Sequence, residues 1–289
     1  MTLFFQNLVN GVLLGGLYVC IAIGFSLIWG VLNIINLLHG SIIVLGSYIA
    51  FYAFTYFGIS PFLAPLFVIP IMFGFGYVLQ LGVLNRVVDQ PVLITMTLTF
   101  GLDLILNNAM LYAFTADYRR IVFSTPFENI EFLGLIIPMD RVLAMGLALL
   151  LTLIFYLLLR MSRTGRAIVA VRNDRDAAVL MGVNVKNIYA VTFGIGSAFA
   201  AAAGCLLAIV FPISPAASIV YVGKAFVICV LGGLGSIGGA MIGGLALGVI
   251  ESMGVMVAGP EHSVLIAFLL LLLILVVKPT GLVGKRGYE

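Results

Sequence analysis

Long runs of apolar residues, almost free of charge, follow one another along this chain. They occupy 8–32, 40–57, 62–84, 92–114, 142–159, 188–211, 219–231, 238–258 and 264–277. A helix needs about 20 apolar residues to cross the hydrocarbon of a bilayer. Backbone groups in lipid must be satisfied within the segment, so such runs can cross only as helices. A membrane barrel would instead show segments of roughly 10 residues alternating apolar and polar, and none occur. Composition agrees: 63% of the 289 residues are hydrophobic and only 9% charged, against about 45–50% and about 25% in soluble domains. A soluble enzyme, a nucleic-acid binder and a disordered chain are excluded. The expected fold is an all-α, polytopic transmembrane helical bundle of about eight to nine segments. The run 219–231 is short for a crossing, so it is either a short span or a broken, re-entrant one. No polar stretch is long enough for a separate soluble domain, which predicts one membrane domain over 1–289.

The basic residues orient the chain. Arg160, Arg163, Arg166, Arg172, Arg175 and Lys186 put six of the fourteen lysines and arginines into one interval. By the positive-inside rule that interval is cytoplasmic. The C-terminal Lys278, Lys285 and Arg286 read the same way. Counting back through five spans places the N-terminus outside. A cytoplasmic C-terminus requires an even number of later crossings. The interval 115–141 is then the longest outer loop, and its Arg119 and Arg120 run mildly against the rule. The first residues lack a positive n-region and the first apolar run is too long for a signal peptide, so it reads as a retained span. Cys20, Cys205 and Cys229 lie in apolar runs without CxxC spacing and read as small core residues.

The interval 160–186 holds more than charge. Asn173 or Asp174 can cap a helix by accepting from free amides. A short helix opens at Asp176, Ala177 and Ala178, and Gly182 can end it in a left-handed conformation. The bland reading is a loop that only sets topology. An ordered, capped helix exceeds that need and suits docking of a cytoplasmic partner.

Glycine supplies a second signal. Small residues spaced by four let helices approach closely in lipid, which accounts for most of the 33 glycines. It does not account for the cluster Gly232, Gly233, Gly235, Gly238 and Gly239, where a helix would be weakened. A helix break or tight turn is expected there. Polar residues supply a third. Asn33, Asn36 and His39, spaced by three, would share one side of a helix, as ordinary caps or as the inner lining of a pathway. Asp103, Lys224 and Glu251 lie inside apolar runs, where each needs a partner, neutralisation or water; Asn107 shares a helix with Asp103. Lys224 and Glu251 can pair structurally or face a pathway. No HExxH, GxSxG or phosphate-loop pattern is present, and nothing points to ATP hydrolysis by this chain.

Three stretches carry a family resemblance over most of the chain. NGVLLGGLYVCIAIGFSLIWGVLNIINLLHGSIIVLGSY, SRTGRAIVAVRNDRDAAVLMGVNVKNIYAVTFGIGSAFAAAAG, and KAFVICVLGGLGSIGGAMIGGLALGVIES with KPTGLVG resemble the LivH-type permease subunits of ATP-binding-cassette importers for branched-chain amino acids. Importer permeases often carry EAA-x3-G followed by I-x-L-P. Here Asp176-Ala177-Ala178-x3-Gly182 matches the first part, with Asp for Glu, and the second is missing. The resemblance implies a coupling loop at 160–187 in which Arg163, Gly165, Arg166, Asn173, Asp176, Ala177, Ala178 and Gly182 meet the ATPases. It implies a LivM-like second permease, two cytoplasmic ATPases that bind the ATP, and a soluble solute-binding protein. No cofactor on this chain is implied, and the location is a bacterial-type inner membrane. The residues suggested for the pathway are Asn33, Asn36, His39, Asp103, Asn107, Lys224 and Glu251. A urea or other small-solute importer of the same family is one alternative. A self-sufficient channel or ion-coupled transporter, gated by Asp103, Lys224 and Glu251, is another. An inverted repeat would favour an ion-coupled transporter, and the sequence shows only a vague likeness of glycine-rich hairpins.

Overall fold

A computed structural model of the chain describes residues 2–123, 128–132, 134–259, 262–278 and 281. Lys285 and Arg286, and most of the terminal KPTGLVG stretch, lie outside the described residues. The helices are α1 (Thr2–Leu32), α2 (His39–Phe57), α3 (Ala64–Gly82), α4 (Val92–Phe114), α5 (Met139–Met161), α6 (Arg163–Asn173), α7 (Arg175–Leu180), α8 (Val185–Val210), α9 (Ser218–Gly232), α10 (Ile237–Ala258) and α11 (Ser263–Val277). Among the described residues eight segments are long and apolar enough to cross a membrane. One is 215–232, in which a 3-10 turn at Pro215–Ala217 runs into α9. The short run 219–231 thus belongs to a longer helical segment. The last helix, α11, has 15 residues and is shorter than these eight. The chain is a polytopic all-α membrane protein. One small exception is an antiparallel pair, β1 (Ile130–Phe132) with β2 (Leu135–Ile137), in the loop before α5.

The two most buried helices, α1 and α8, cross at the centre in opposite directions. Gly24 lies against the Gly196 carbonyl, and Cys20 against that of Phe199. Absence of a side chain is what permits the first approach: a Cβ on Gly24 would come within 2.6 Å of that carbonyl oxygen. Packing without a hydrophobic drive between helices depends on such close approach. Outside this pair, α10 runs antiparallel along α1, with Gly11 against Val249 and Gly15 against Leu245. On the other side α3 runs antiparallel along α8, with Gly76 against Gly194 and the Tyr77 hydroxyl donating to Asn187 at 2.7 Å.

Two groups of three helices therefore run in inverted senses. The first, α1 to α3, places its third helix on α8. The second, α8 to α10, places its third helix on α1. In each, an irregular segment joins the first helix to the second: 33–38 and 211–217. The segment 33–38 turns back along α1. The first residue of α2, His39, bonds through Nε2 to the Ile21 carbonyl at 3.1 Å. Ile21 is 11 residues before the end of α1, roughly 16 Å along its axis, so α2 starts deep inside the bundle. An irregular backbone is tolerated at such depth only against protein or water.

Candidate functional site

The arginine-rich end of the bundle is closed by α6 and α7. Ser162 caps α6 by accepting from the Gly165 amide at 2.8 Å, and Asp174 caps α7 by accepting from Ala177 at 2.9 Å. Of the two capping residues suggested by sequence, Asp174 holds the position, while Asn173 ends α6. At the far end of α7, Gly182 has φ +80. Its amide bonds to Val179 O at 2.9 Å, and the Val183 amide to Ala178 O at 3.0 Å. This double bond pattern is a Schellman stop, which needs a left-handed residue. Gly165 has a different reason to be glycine, since any side chain would collide with the backbone of Leu158 and Leu159 where α5 turns into α6.

One face of this end is anchored and the other is bare. Ile168, Val171 and Ala178 are buried. Arg163, Arg166, Asp176 and Ala177 are exposed. Leu180 and Met181 are 87% and 83% exposed, with Val179 also outward. Arg175 ties α7 to the loop between α3 and α4 by an ion pair with Asp89, and its guanidinium lies 5.7 Å from the Tyr189 ring centre. The Arg175 guanidinium holds the Asp89 carboxyl below the usual carboxylate range, and Asp89 in turn raises Arg175. The same loop is held by Asn85, whose amide donates to Lys186 O at 3.3 Å. Residues 83–91 and 174–186 therefore form one surface, a union that sequence patterns did not suggest.

Inside the bundle, a polar stripe at spacing four runs along α4: Thr95, Thr99, Asp103 and Asn107. The Thr99 hydroxyl donates to Ile35 O at 2.9 Å and accepts from the Leu37 amide at 3.3 Å, clamping the irregular segment 33–38. Ser41 donates to Asp103 at 2.5 Å. Asn107 donates to Ser218 Oγ at 2.6 Å and Pro215 O at 3.0 Å, at the entry to α9. The stripe thus holds both irregular segments. Elsewhere α4 is poorly covered, with Leu93, Ile105 and Tyr112 strongly exposed and Asp103 half-buried.

Asn33, Asn36 and His39 do not share a helical side, which corrects the reading from spacing. Residues 33–36 are not helical, and Asn33 has φ +54. Asn33 is exposed, whereas Asn36 and His39 are buried. Apolar Ile34, Ile35, Leu37 and Leu38 imitate a helix in sequence, but the chain reverses there. The His39 ring meets Phe25 edge-on at 5.4 Å.

Lys224 and Glu251 face each other across α9 and α10. Lys224 Nζ donates to Glu251 Oε1 at 2.8 Å and to the Tyr18 hydroxyl at 2.5 Å. Tyr18 donates to Glu251 Oε2 at 2.8 Å, closing a triangle with α1. Both charged residues are buried, at 8% and 9% exposure. Tyr18 gave no sequence signal, because one tyrosine in an apolar run looks like any core aromatic.

The glycine cluster resolves into a turn between α9 and α10. Gly233 and Gly235 take φ of +100 and +74. Gly232 and Gly239 meet backbone to backbone, and Gly235 rests on Gly30. Gly238 has open space around it. Ser236 caps α10 by accepting from Gly239 at 3.1 Å.

Comparison with known proteins follows the same lines. Residues 7–275 match the profile of the family described as branched-chain amino acid transport system / permease component. The chain is 35% identical to the high-affinity branched-chain amino acid transport system permease protein BraD of Pseudomonas aeruginosa, over 99% of this chain and 97% of the relative. It is also 35% identical to the permease protein LivH of Escherichia coli K12, again over 99% and 97%. Identity to the permease protein LivM of the same bacterium is 29%, over 92% of this chain and 67% of that one. No solved structure matches significantly.

Proposed function

We propose, from the premise that this chain belongs to the branched-chain amino acid transport permease family, that it forms half of a solute pathway driven by separate ATPases. It is a transmembrane transport permease and not a catalytic subunit. The observation that carries this reading is the near full-length match, together with the bare apolar tip of α7 on an otherwise anchored end. In this reading α6 and α7 face the cytoplasm of a bacterial-type inner membrane, the N-terminus lies outside, and the C-terminus is cytoplasmic. Two ATPases that bind the ATP dock on Val179, Leu180 and Met181, flanked by Arg163, Arg166 and Asp176. The caps at Ser162 and Asp174 and the stop at Gly182 make α7 stiff enough to pass on a push. The loop holding Asp89 moves with it.

The whole chain acts as one membrane domain. Its unpartnered face along α4 meets a LivM-like second permease, and the half-buried Asp103 carboxylate there looks on a water-filled pathway. An ionised group facing lipid would be costly. Thr99, Asp103 and Asn107 grip both irregular segments, so movement of α4 carries them along. A soluble binding protein delivers branched-chain or related neutral amino acids to the outer face. Inversion of the two helix groups is compatible with an ion-coupled transporter as well; membership of the family is what favours ATP-driven import.

Purification from native membranes in mild detergent, with mass spectrometry of stoichiometric partners, tests the reading. Two ATPases and a second permease are expected. Recovery of this chain alone, from membranes that retain other intact importers, would overturn it.

A further inference from the structure

At the end opposite the arginines, α1, α5, α8 and α10 enclose a cavity of about 360 Å³, a volume within the range of small-molecule sites. Its polar groups come from three helices. Arg141 lines it from the first turn of α5, Asn7 and Asn10 from α1, and Glu251 and Ser252 from α10. The rest is apolar, with Leu14, Leu17, Phe211 and Val255. Among the described residues, neither a hydrogen bond nor an ion pair engages the Arg141 guanidinium. Among the same residues none donates to Asn10 Oδ1, which is buried. Glu251 also lines the cavity, its carboxylate paired with Lys224 and accepting from the Tyr18 hydroxyl. A free cation, a buried acceptor without a donor, a carboxylate and an aliphatic surround are thus gathered in one small space.

We propose that this cavity binds a small aliphatic zwitterion, an amino acid with a branched apolar side chain, as a transit site within this chain. The inference rests on the importer reading and names a place for its substrate. Arg141 takes the carboxylate, since a guanidinium is the donor best suited to it. Asn10 Oδ1 accepts from the ammonium, with Glu251 supplying negative charge beside it. Leu14, Leu17, Phe211 and Val255 take the side chain. In the orientation proposed above the cavity lies towards the outer face, where a binding protein releases its cargo. Neither a simple anion nor a hydrocarbon would use all three sets of groups.

The test uses the assembled complex of both permeases and both ATPases in lipid nanodiscs, without the binding protein. Radiolabelled L-leucine is the probe. Isoamylamine, which lacks the carboxylate, and 4-methylpentanoate, which lacks the ammonium, compete against it. Saturable leucine binding is expected, with isoamylamine weaker by about tenfold or more, the usual size of a lost charged hydrogen bond. Arg141→Gln should weaken leucine by a similar factor and leave isoamylamine unchanged, so that the preference disappears. Asn10→Leu should weaken leucine and isoamylamine but not 4-methylpentanoate. A merely structural defect would not sort the ligands in this way. Absence of leucine binding, in a complex whose ATPase still responds to loaded binding protein, would overturn this inference and leave the importer reading standing. Retention of the carboxylate preference in Arg141→Gln would do the same, as would a phospholipid held by the wild type and released by that variant. If no ATPases accompany the chain, the importer reading and this inference fall together.

Discussion

Lys224→Met breaks one corner of the triangle that joins α1, α9 and α10. It removes the donor to Glu251 Oε1 and to the Tyr18 hydroxyl, leaving a buried carboxylate without its counter-charge. Removing one partner of a buried pair costs about 3–5 kcal/mol. Placing a lone charge at the centre of a membrane helix costs about 2.5–3.5 kcal/mol on insertion scales. The two ranges overlap near 3 kcal/mol, the expected loss of stability. The double variant Lys224→Met, Glu251→Met removes both charges and keeps the volume, so most of that loss should return. About 1 kcal/mol should remain, because the Tyr18 hydroxyl then has no acceptor. Adding Tyr18→Phe should remove the remainder. Unfolding of the purified complex in detergent, followed by heat or by titration with a denaturing detergent, reads all three steps. Adding Glu251→Met to Lys224→Met is therefore expected to restore about 2 kcal/mol. Additive losses in the double variant would refute the reasoning and show that the pair is not a unit.

Three further outcomes are expected. Gly182→Ala forces a side chain into a left-handed backbone at a cost of about 1–2 kcal/mol; in proteoliposomes it should reduce leucine uptake per ATP hydrolysed while the protein still inserts, and an unchanged ratio would count against the stop at α7. Gly204→Leu should prevent accumulation of folded protein on size-exclusion chromatography, because a Cβ there would overlap the Ile43 carbonyl and approach the Ser47 amide at 3.1 Å; a normal elution profile would contradict the packing of α2 on α8. Because the Asp89 carboxyl is held below the ordinary carboxylate range, its support for the 83–91 and 174–186 surface is fully present above that range. It is lost as pH falls through the lowered value, so hydrogen exchange in 174–182 should rise only in acid, and Asp89→Asn should abolish that acid-induced rise.

Much of the fold is legible in the sequence because long apolar runs leave only helices as a solution. The end formed by α6 and α7 is legible too: an acidic cap and a glycine at the right interval are local signals, and α7 follows from them. The irregular segment 33–38 is hidden, because Ile34, Ile35, Leu37 and Leu38 carry the apolar pattern of a continuing helix. Its fold depends on Thr99, 62 residues away from Leu37, and a lone threonine in an apolar run gives no warning. The contact between Asp89 and Arg175 likewise joins residues 86 apart. Lys224 and Glu251 announce themselves by charge, but their third partner, Tyr18, comes from a distant helix. Arg141 and Asn10 are hidden for a further reason. Each looks like an ordinary residue at a membrane interface, and only the meeting of four helices gives them a common space.

Cysteine-directed cross-linking at position 180 tests the central claim most directly. All three native cysteines are buried, so Leu180→Cys places an accessible thiol on the bare tip of α7. Carrying a short photoreactive group in native membranes, it should form one adduct at the combined mass of this chain and an ATPase subunit. Val122→Cys, exposed in the loop after α4, should not. No ATPase adduct at position 180, or equal adducts from both positions, would contradict docking through α7.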